Sequence, residues 1–168
     1  SKLLNFGKKL QELIILEYIN SNLNLYKVSK NNIEEIIKKI KSSKPNVILI
    51  ENEEKVICKS YDVIEFFTKD EDYNVLISKE EKRVENKKFI YEKSKDGKYL
   101  IDKNLFPLRV IKNNFAYKGV NKLFIKKKIP YSKRVNWPIL IDKNNKLILV
   151  IGEKNFYNVK EVNHKNLI

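Results

Sequence analysis

The residues with the clearest chemical potential are cations that crowd together between Arg109 and Arg134. The group comprises Arg109, Lys112, Lys118, Lys122, Lys126, Lys127, Lys128, Lys133 and Arg134. Lysine is a flexible point charge that neutralises phosphate without demanding one geometry. We therefore predict a surface that contacts the backbone of a polyanion and recognises its shape, with few contacts to bases. The alternative is a solvated basic face without a ligand.

The distribution of charge along the chain favours the first interpretation. The net charge is +14, but residues 1–102 carry 20 Lys and Arg against 18 Asp and Glu, whereas residues 103–168 carry 15 against 3. The abundance of Lys, Asn and Ile is typical of an AT-rich genome, whose bias should act evenly along the chain. A charge asymmetry between two halves is typical of proteins that bind nucleic acid or an anionic membrane.

Aromatic residues are interleaved with these cations. Tyr117, Phe124 and Tyr131 lie among them, and Trp137 follows. Aromatic side chains next to lysines can stack on bases. Phe124 stands in an aliphatic segment and Trp137 precedes a proline, so we interpret both as core residues and keep base stacking as the alternative.

The patterns that mark catalytic sites are missing from this sequence. There is no glycine-rich phosphate loop and no Gly-x-Ser-x-Gly nucleophile elbow. The only cysteine, Cys58, stands in a strand-like run and is predicted to be buried, while the only histidine, His164, lies in the tail. A zinc site usually needs four ligands, and we reject a metal site at Asp70 and Asp72. We predict no catalytic residues and no metal.

Two helices are predicted at the start of the chain. Apolar residues between Lys8 and Ser21 form a wide helical face that includes Leu10, Leu13, Ile14, Leu16, Tyr18 and Ile19. Ser29 is a suitable N-cap for a second helix. That helix carries an isoleucine stripe from Ile33 to Ile40, and Pro45 limits its extension.

Strands are predicted from there onwards. Residues 79–88 mix charges and are interpreted as an exposed face or loop. Residues 122–129 are either a short helix or a strand. The Asp96-Gly97 pair predicts a hairpin turn between two of the strands. The predicted strands are 47–50, 55–62 with 63–67 as a continuation, 75–77, 89–91, 99–101, 108–111, 139–141 and 147–151, the last two joined as a hairpin.

These elements predict an α+β protein. We divide it into a small helical domain with a strand pair at 1–68, a β connection at 69–102, and a β-rich basic domain at 103–168. No apolar run approaches the roughly 20 residues that cross a bilayer, no signal peptide is seen, and a single cysteine agrees with the cytoplasm. The chain has no methionine, so we expect that Ser1 is not a natural start.

Several of these segments together resemble the C-terminal domain of the tRNA(Ile)-lysidine synthases. Leu108-Arg109 is similar to the opening strand and arginine of that domain, although the chain has Asn113-Asn114 where the family carries Gly-Asp. Segments at 9–19, at 28–29 with 33–40, and at 59–62 resemble the helical middle region of the family. The motifs on which the resemblance to the C-terminal domain rests are Asn-Lys-Leu-Phe-Ile-Lys-Lys-Lys-Ile-Pro at 121–130, Arg134, Trp-Pro-Ile-Leu at 137–140, and Leu-Val-Ile-Gly at 149–152.

The resemblance implies the tRNA-binding part of an ATP-dependent ligase. The family adenylates C2 of cytidine 34 in the anticodon of tRNA(Ile), and lysine then displaces AMP to give lysidine. Catalysis belongs to an N-terminal ATP-pyrophosphatase domain with a Ser-Gly-Gly-x-Asp-Ser motif, which this chain lacks. ATP, Mg and L-lysine would bind to that domain, so this chain is expected to need no cofactor and to be inactive alone.

The resemblance also implies a fold and a partner. The final module of the family is similar to a domain of the phenylalanyl-tRNA synthetase β subunit and contacts the tRNA acceptor stem. The expected partner is therefore tRNA(Ile), with no membrane, and a homodimer is left open. Two alternatives remain: a stand-alone RNA- or DNA-binding module without a catalytic partner, and a scaffold or oligomerisation domain whose basic face has no ligand.

Overall fold

The computed structural model describes residues 2–23, 28–94, 99–155 and 159–161. The chain has helices and antiparallel sheets, so the predicted α+β class is confirmed. It divides into two compact units. Unit 1 comprises Ser1–Asp70 with Ile129–Lys133, and unit 2 comprises Glu71–Lys128 with Arg134–Ile168. This division differs from the one drawn from the sequence, because the segment 69–102 falls almost wholly in unit 2 and a short piece of the basic region falls in unit 1.

The helices of unit 1 begin where the sequence indicates. A 3-10 turn at Lys2–Asn5 precedes α1 (Lys8–Leu23) and α2 (Lys30–Lys41). The predicted N-cap is confirmed, since the Ser29 hydroxyl accepts a hydrogen bond of 3.2 Å from the Asn32 N–H. The isoleucine stripe of α2 is buried, as its 3.6-residue period predicts.

Helix α1 buries only part of the predicted face, since Ile19 is buried and Leu16 and Tyr18 pack against the core. Its buried residues are Gln11, Ile15, Ile19 and Leu23. Leu10, Leu13 and Ile14, which the prediction placed on the inner face, are exposed. The helix is apolar on most sides, so periodicity alone did not define its inner face.

The sheet of unit 1 has three antiparallel strands in the order β1 (Asn46–Glu51), β2 (Lys55–Ser60) and β3 (Val63–Thr68). The expectation that residues 63–67 continue the preceding strand is wrong. A tight turn at Tyr61, whose φ is 54°, reverses the chain, and Ser60 pairs with Val63. Cys58 is fully buried, as predicted.

The main sheet of unit 2 has five antiparallel strands, and it contains the predicted hairpin of residues 139–151. Asp142 shapes the hairpin turn, since its Oδ1 accepts hydrogen bonds of 2.8 Å from the N–H groups of Asn144 and Lys146. Leu108, Val110 and Leu140 are buried together on one face of this sheet. In sheet order the strands are β11 (Lys154–Asn155), β10 (Leu147–Val150), β9 (Pro138–Ile141), β8 (Leu108–Lys112) and β4 (Asn74–Ile77).

Two further strand pairs in unit 2 differ from the prediction. The charged stretch 79–88 is not only a loop, because β5 (Arg83–Asn86) forms a hairpin with β6 (Phe89–Glu92). The strand β7 (Tyr99–Ile101) exists, but it pairs with the distant β12 (Val159–Glu161). The predicted turn at 96–97 lies outside the described residues.

The ambiguous segment 122–129 is helical. Helix α3 (Val120–Lys126) follows Gly119, whose φ of 91° is a conformation that favours glycine. A short helix, α4 (Tyr131–Val135), comes next. Its first residues belong to unit 1, where the Tyr131 N–H donates to the Ser60 hydroxyl at 2.8 Å. None of the helices in the described ranges has the length and apolar composition needed to cross a membrane.

Candidate nucleic-acid interface

Helix α3 separates a buried apolar face from an exposed basic one. Val120 and Phe124 are fully buried, one turn apart. Lys122 and Lys126 are exposed at the same four-residue spacing, and Lys118 is exposed in the turn before the helix. Residues four apart lie about 6 Å from each other along a helix axis. The apolar pair thus fixes the direction in which the two helical lysines project.

Two more lysines close the C-terminal end of α3. The N–H of Lys127 donates to the Leu123 carbonyl, and the N–H of Lys128 donates to the Ile125 carbonyl, both at 3.0 Å. Lys128 has a φ of 53°, the left-handed conformation with which many helices end. Positive charge at this end is stabilised by the helix dipole. Lys127 also forms an ion pair with Glu153.

Two of the predicted cations lie on strand β8. Arg109 is half-buried and points to the face opposite that of Val110, because side chains alternate along a strand. Burial raises the pKa of Tyr117, the Arg109 guanidinium lowers it, and Asp142 raises it. Arg109 is therefore within electrostatic range of the loop that leads into α3.

The second of these, Lys112, is partly neutralised within unit 2. Its Nζ lies 2.5 Å from Oδ1 of Asp72, and the lysine side chain is only 16% exposed. The carboxylate itself is open to solvent. Lys112 is therefore a weaker candidate for direct phosphate binding than the exposed lysines of α3.

Arg134 has a different place from that expected of a surface cation. It is 1% exposed, and its guanidinium donates to Oδ1 of Asn121, in the first turn of α3, at 3.4 Å. A guanidinium in this position stabilises the helix and does not reach a phosphate on the surface. Lys133 is exposed, but it belongs to unit 1.

The structure thus brings together five of the nine predicted cations around α3, and two more lie on β8 of the same unit. The five are Lys118, Lys122, Lys126, Lys127 and Lys128. The aromatic side chains take less part than their positions in the sequence allow. The rings of Phe124 and Trp137 are 5.4 Å apart, and the Trp137 indole donates to the Ile151 carbonyl at 2.9 Å. Phe124 is a core residue, as predicted, whereas Trp137 is only partly buried and packs against it.

Asn113, which the sequence marked only as a departure from the family's Gly-Asp pair, holds this site together. Asn113 is 2% exposed. Its Nδ2 donates to the Arg134 carbonyl at 2.9 Å, and its Oδ1 accepts from the Phe115 N–H at 3.0 Å. Its own N–H donates to the Trp137 carbonyl at 2.9 Å. An Asn-Asn pair directly after a strand was the signal that could have drawn attention to it.

Groups that would support other chemistry are not assembled in the described part of the chain. There, no three His, Cys, Asp or Glu residues come close enough to hold a metal ion. Two carboxylates beside the basic residues, those of Asp72 and Glu153, each form an ion pair with a lysine. The site therefore consists of positively charged side chains on helix α3, which is packed into the core.

Comparison with known proteins finds no family model and no curated protein that matches this chain significantly.

Proposed function

We propose that this chain is the tRNA-binding part of a tRNA(Ile)-lysidine synthase, and that unit 2 binds the sugar-phosphate backbone of the tRNA. The observation that carries the proposal is the exposed basic face of α3, formed by Lys122 and Lys126, together with Lys118 in the turn before the helix. Their side chains form no hydrogen bond and no ion pair within the described part of the chain, so their charge is open to an external anion.

The chemistry of these groups fits the outside of a folded RNA. Contacts to phosphate and sugar position a protein on nucleic acid but carry no base sequence. Lysine suits such contacts because its ammonium group accepts many phosphate geometries. Arg109, on the neighbouring strand, adds a planar donor that can hold two phosphate oxygens at once. The site would therefore recognise the shape of an RNA helix and leave identity to other parts of the complex.

The burial of the motif residues supports the link to the lysidine synthases. Phe124, Arg134, Ile139, Leu140 and Leu149 belong to the segments that resemble the family, and all are buried. These residues build the core that holds α3, whereas the exposed lysines contribute charge. A shared pattern of core residues is what a shared module requires, since a module is defined by its packing.

The proposal assigns no step of the ligation to the described residues. ATP, Mg and lysine would act at an N-terminal ATP-pyrophosphatase domain, as the resemblance implies. The part played by this chain is to hold tRNA(Ile) so that the anticodon cytidine can reach that domain. Holding a substrate in a productive position accelerates a reaction by lowering its entropic cost.

The test is a titration of labelled tRNA(Ile) with two matched double variants. Lys122→Gln/Lys126→Gln removes two charges from α3, and Lys38→Gln/Lys41→Gln removes two exposed charges from α2 of unit 1. We expect the first to weaken binding about tenfold or more, because the affinity rests on neutralised phosphates. The second should change binding less than about twofold. Equal losses in both variants would show that only the total charge matters and would overturn the proposal.

The same titration separates the proposal from a stand-alone nucleic-acid-binding module. A lysidine synthase region should favour tRNA over a DNA duplex of equal length, because A-form RNA presents a wide minor groove with 2′-hydroxyls. A stand-alone basic module that binds any polyanion would not distinguish the two ligands at equal salt.

A further inference from the structure

One of the five lysines around α3 already has an anionic partner in the protein. Lys127, at the C-terminal end of α3, forms an ion pair with Oε2 of Glu153. The lysine side chain is 46% exposed, whereas the glutamate side chain is only 15% exposed. The glutamate is thus the more fixed member of the pair, and the lysine is the more accessible one.

The neighbouring lysines differ from Lys127 in this respect. Among the described residues, Lys118, Lys122, Lys126 and Lys128 form no side-chain hydrogen bond and no ion pair, although all four are exposed. The Glu153 backbone is held in the turn after β10, where its N–H donates to the Val150 carbonyl at 2.9 Å. The Glu153 carboxylate therefore forms an ion pair with Lys127 and not with the four neighbouring lysines.

We propose that Glu153 occupies the position of an RNA phosphate at Lys127 and lowers the affinity of unit 2 for its ligand. This inference rests on the proposed function. A carboxylate and a phosphate are both oxygen anions that accept hydrogen bonds from the same ammonium group, so Lys127 binds one at the expense of the other. A phosphate that contacts Lys127 has to displace Glu153, and the gain from the new contact is reduced by the loss of the old one.

Removing the charge of Glu153 should therefore strengthen binding. Because a partly exposed ion pair contributes up to about 1 kcal/mol, Glu153→Gln should tighten tRNA binding about two- to fivefold. The salt dependence should also become steeper, by about 0.7–0.9 in the slope of log K against log salt, since one more phosphate is neutralised. Glu85→Gln is the matched control. It removes one of the two carboxylate partners of Arg83, on the β5–β6 hairpin of the same unit, and should leave binding unchanged.

A double-mutant cycle shows whether the effect passes through Lys127. In the native background, Lys127→Gln should weaken binding less than Lys126→Gln does, because Glu153 already neutralises Lys127. In the Glu153→Gln background, Lys127→Gln should remove the whole gain. The coupling between the two positions is then the measured quantity.

The outcomes separate this inference from the proposed function. Folding of each variant is followed by the fluorescence of Trp137, the only tryptophan. If Glu153→Gln binds tRNA like the native chain, the inference is wrong while the proposed function stands. If Lys127→Gln weakens tRNA binding as much as Lys126→Gln does, the inference is also wrong. This comparison does not require that Glu153→Gln folds. If the native chain does not bind tRNA, the proposed function and this inference both fail.

Discussion

Replacement of Asn113 by alanine tests how the basic helix is held in place. This side chain donates to the Arg134 carbonyl at 2.9 Å and accepts from the Phe115 N–H at 3.0 Å. The substitution removes two hydrogen bonds, although the Arg134 carbonyl keeps the one from the Trp137 N–H at 3.3 Å. Each lost hydrogen bond costs about 1 kcal/mol, so we expect a loss of about 2 kcal/mol.

Trp137 makes the effect measurable within unit 2. It is the only tryptophan of the chain, and its ring packs on Phe124 beneath α3. Urea unfolding followed by its fluorescence therefore reports on the region that Asn113 anchors. Asn114→Ala is the control, because Asn114 is exposed and its Oδ1 accepts only from the Ala116 N–H. We expect a change of about 0.5 kcal/mol or less for it. Equal losses for the two asparagines would refute the reasoning from burial.

Three further predictions follow from burial and capping. Arg134→Lys should lower the unfolding free energy reported by tryptophan fluorescence by about 1 kcal/mol or more, and it should leave the salt dependence of tRNA binding unchanged because Arg134 is buried. A changed salt slope in a fully stable variant would contradict this. Ser29→Ala should destabilise α2 by about 1 kcal/mol in urea unfolding followed by circular dichroism, whereas loss of the exposed Ser43 hydroxyl should have no such effect. Burial raises the pKa of Tyr18, Tyr91 and Tyr117. The unfolded chain loses these protons first, so unfolding should become easier as the pH rises above about 10. An absorbance titration in which every tyrosine ionises with the ordinary pKa would contradict this prediction.

Local signals in the sequence predicted the elements that depend on local interactions. Ser29 caps α2, and the spacing of its isoleucines defines the buried face. The hairpin of β9 and β10 was visible because two apolar runs flank a polar turn. In each case the residues that decide the structure lie within a few positions of one another, so a single sequence contains the information.

Elements that depend on distant partners were not predicted. Strand β7 pairs with β12, almost 60 residues further along the chain, and no local pattern indicates such a pairing. The hairpin of β5 and β6 was hidden because mixed charges on an exposed hairpin resemble a loop. Arg134 was assigned to the surface because it stands among the lysines of the basic segment, and arginine is rarely buried. Its burial depends on Asn121 and on neighbours that only the fold brings together.

The salt dependence of tRNA binding tests the central claim most directly. Of the nine predicted cations, those on unit 2 that remain open to phosphate are Arg109, Lys118, Lys122, Lys126 and Lys128. Each neutralised phosphate contributes about 0.7–0.9 to the slope of log K against log salt, so five contacts predict a slope between about −3.5 and −4.5. A slope shallower than about −1 would contradict the claim that unit 2 binds the RNA backbone through these charges.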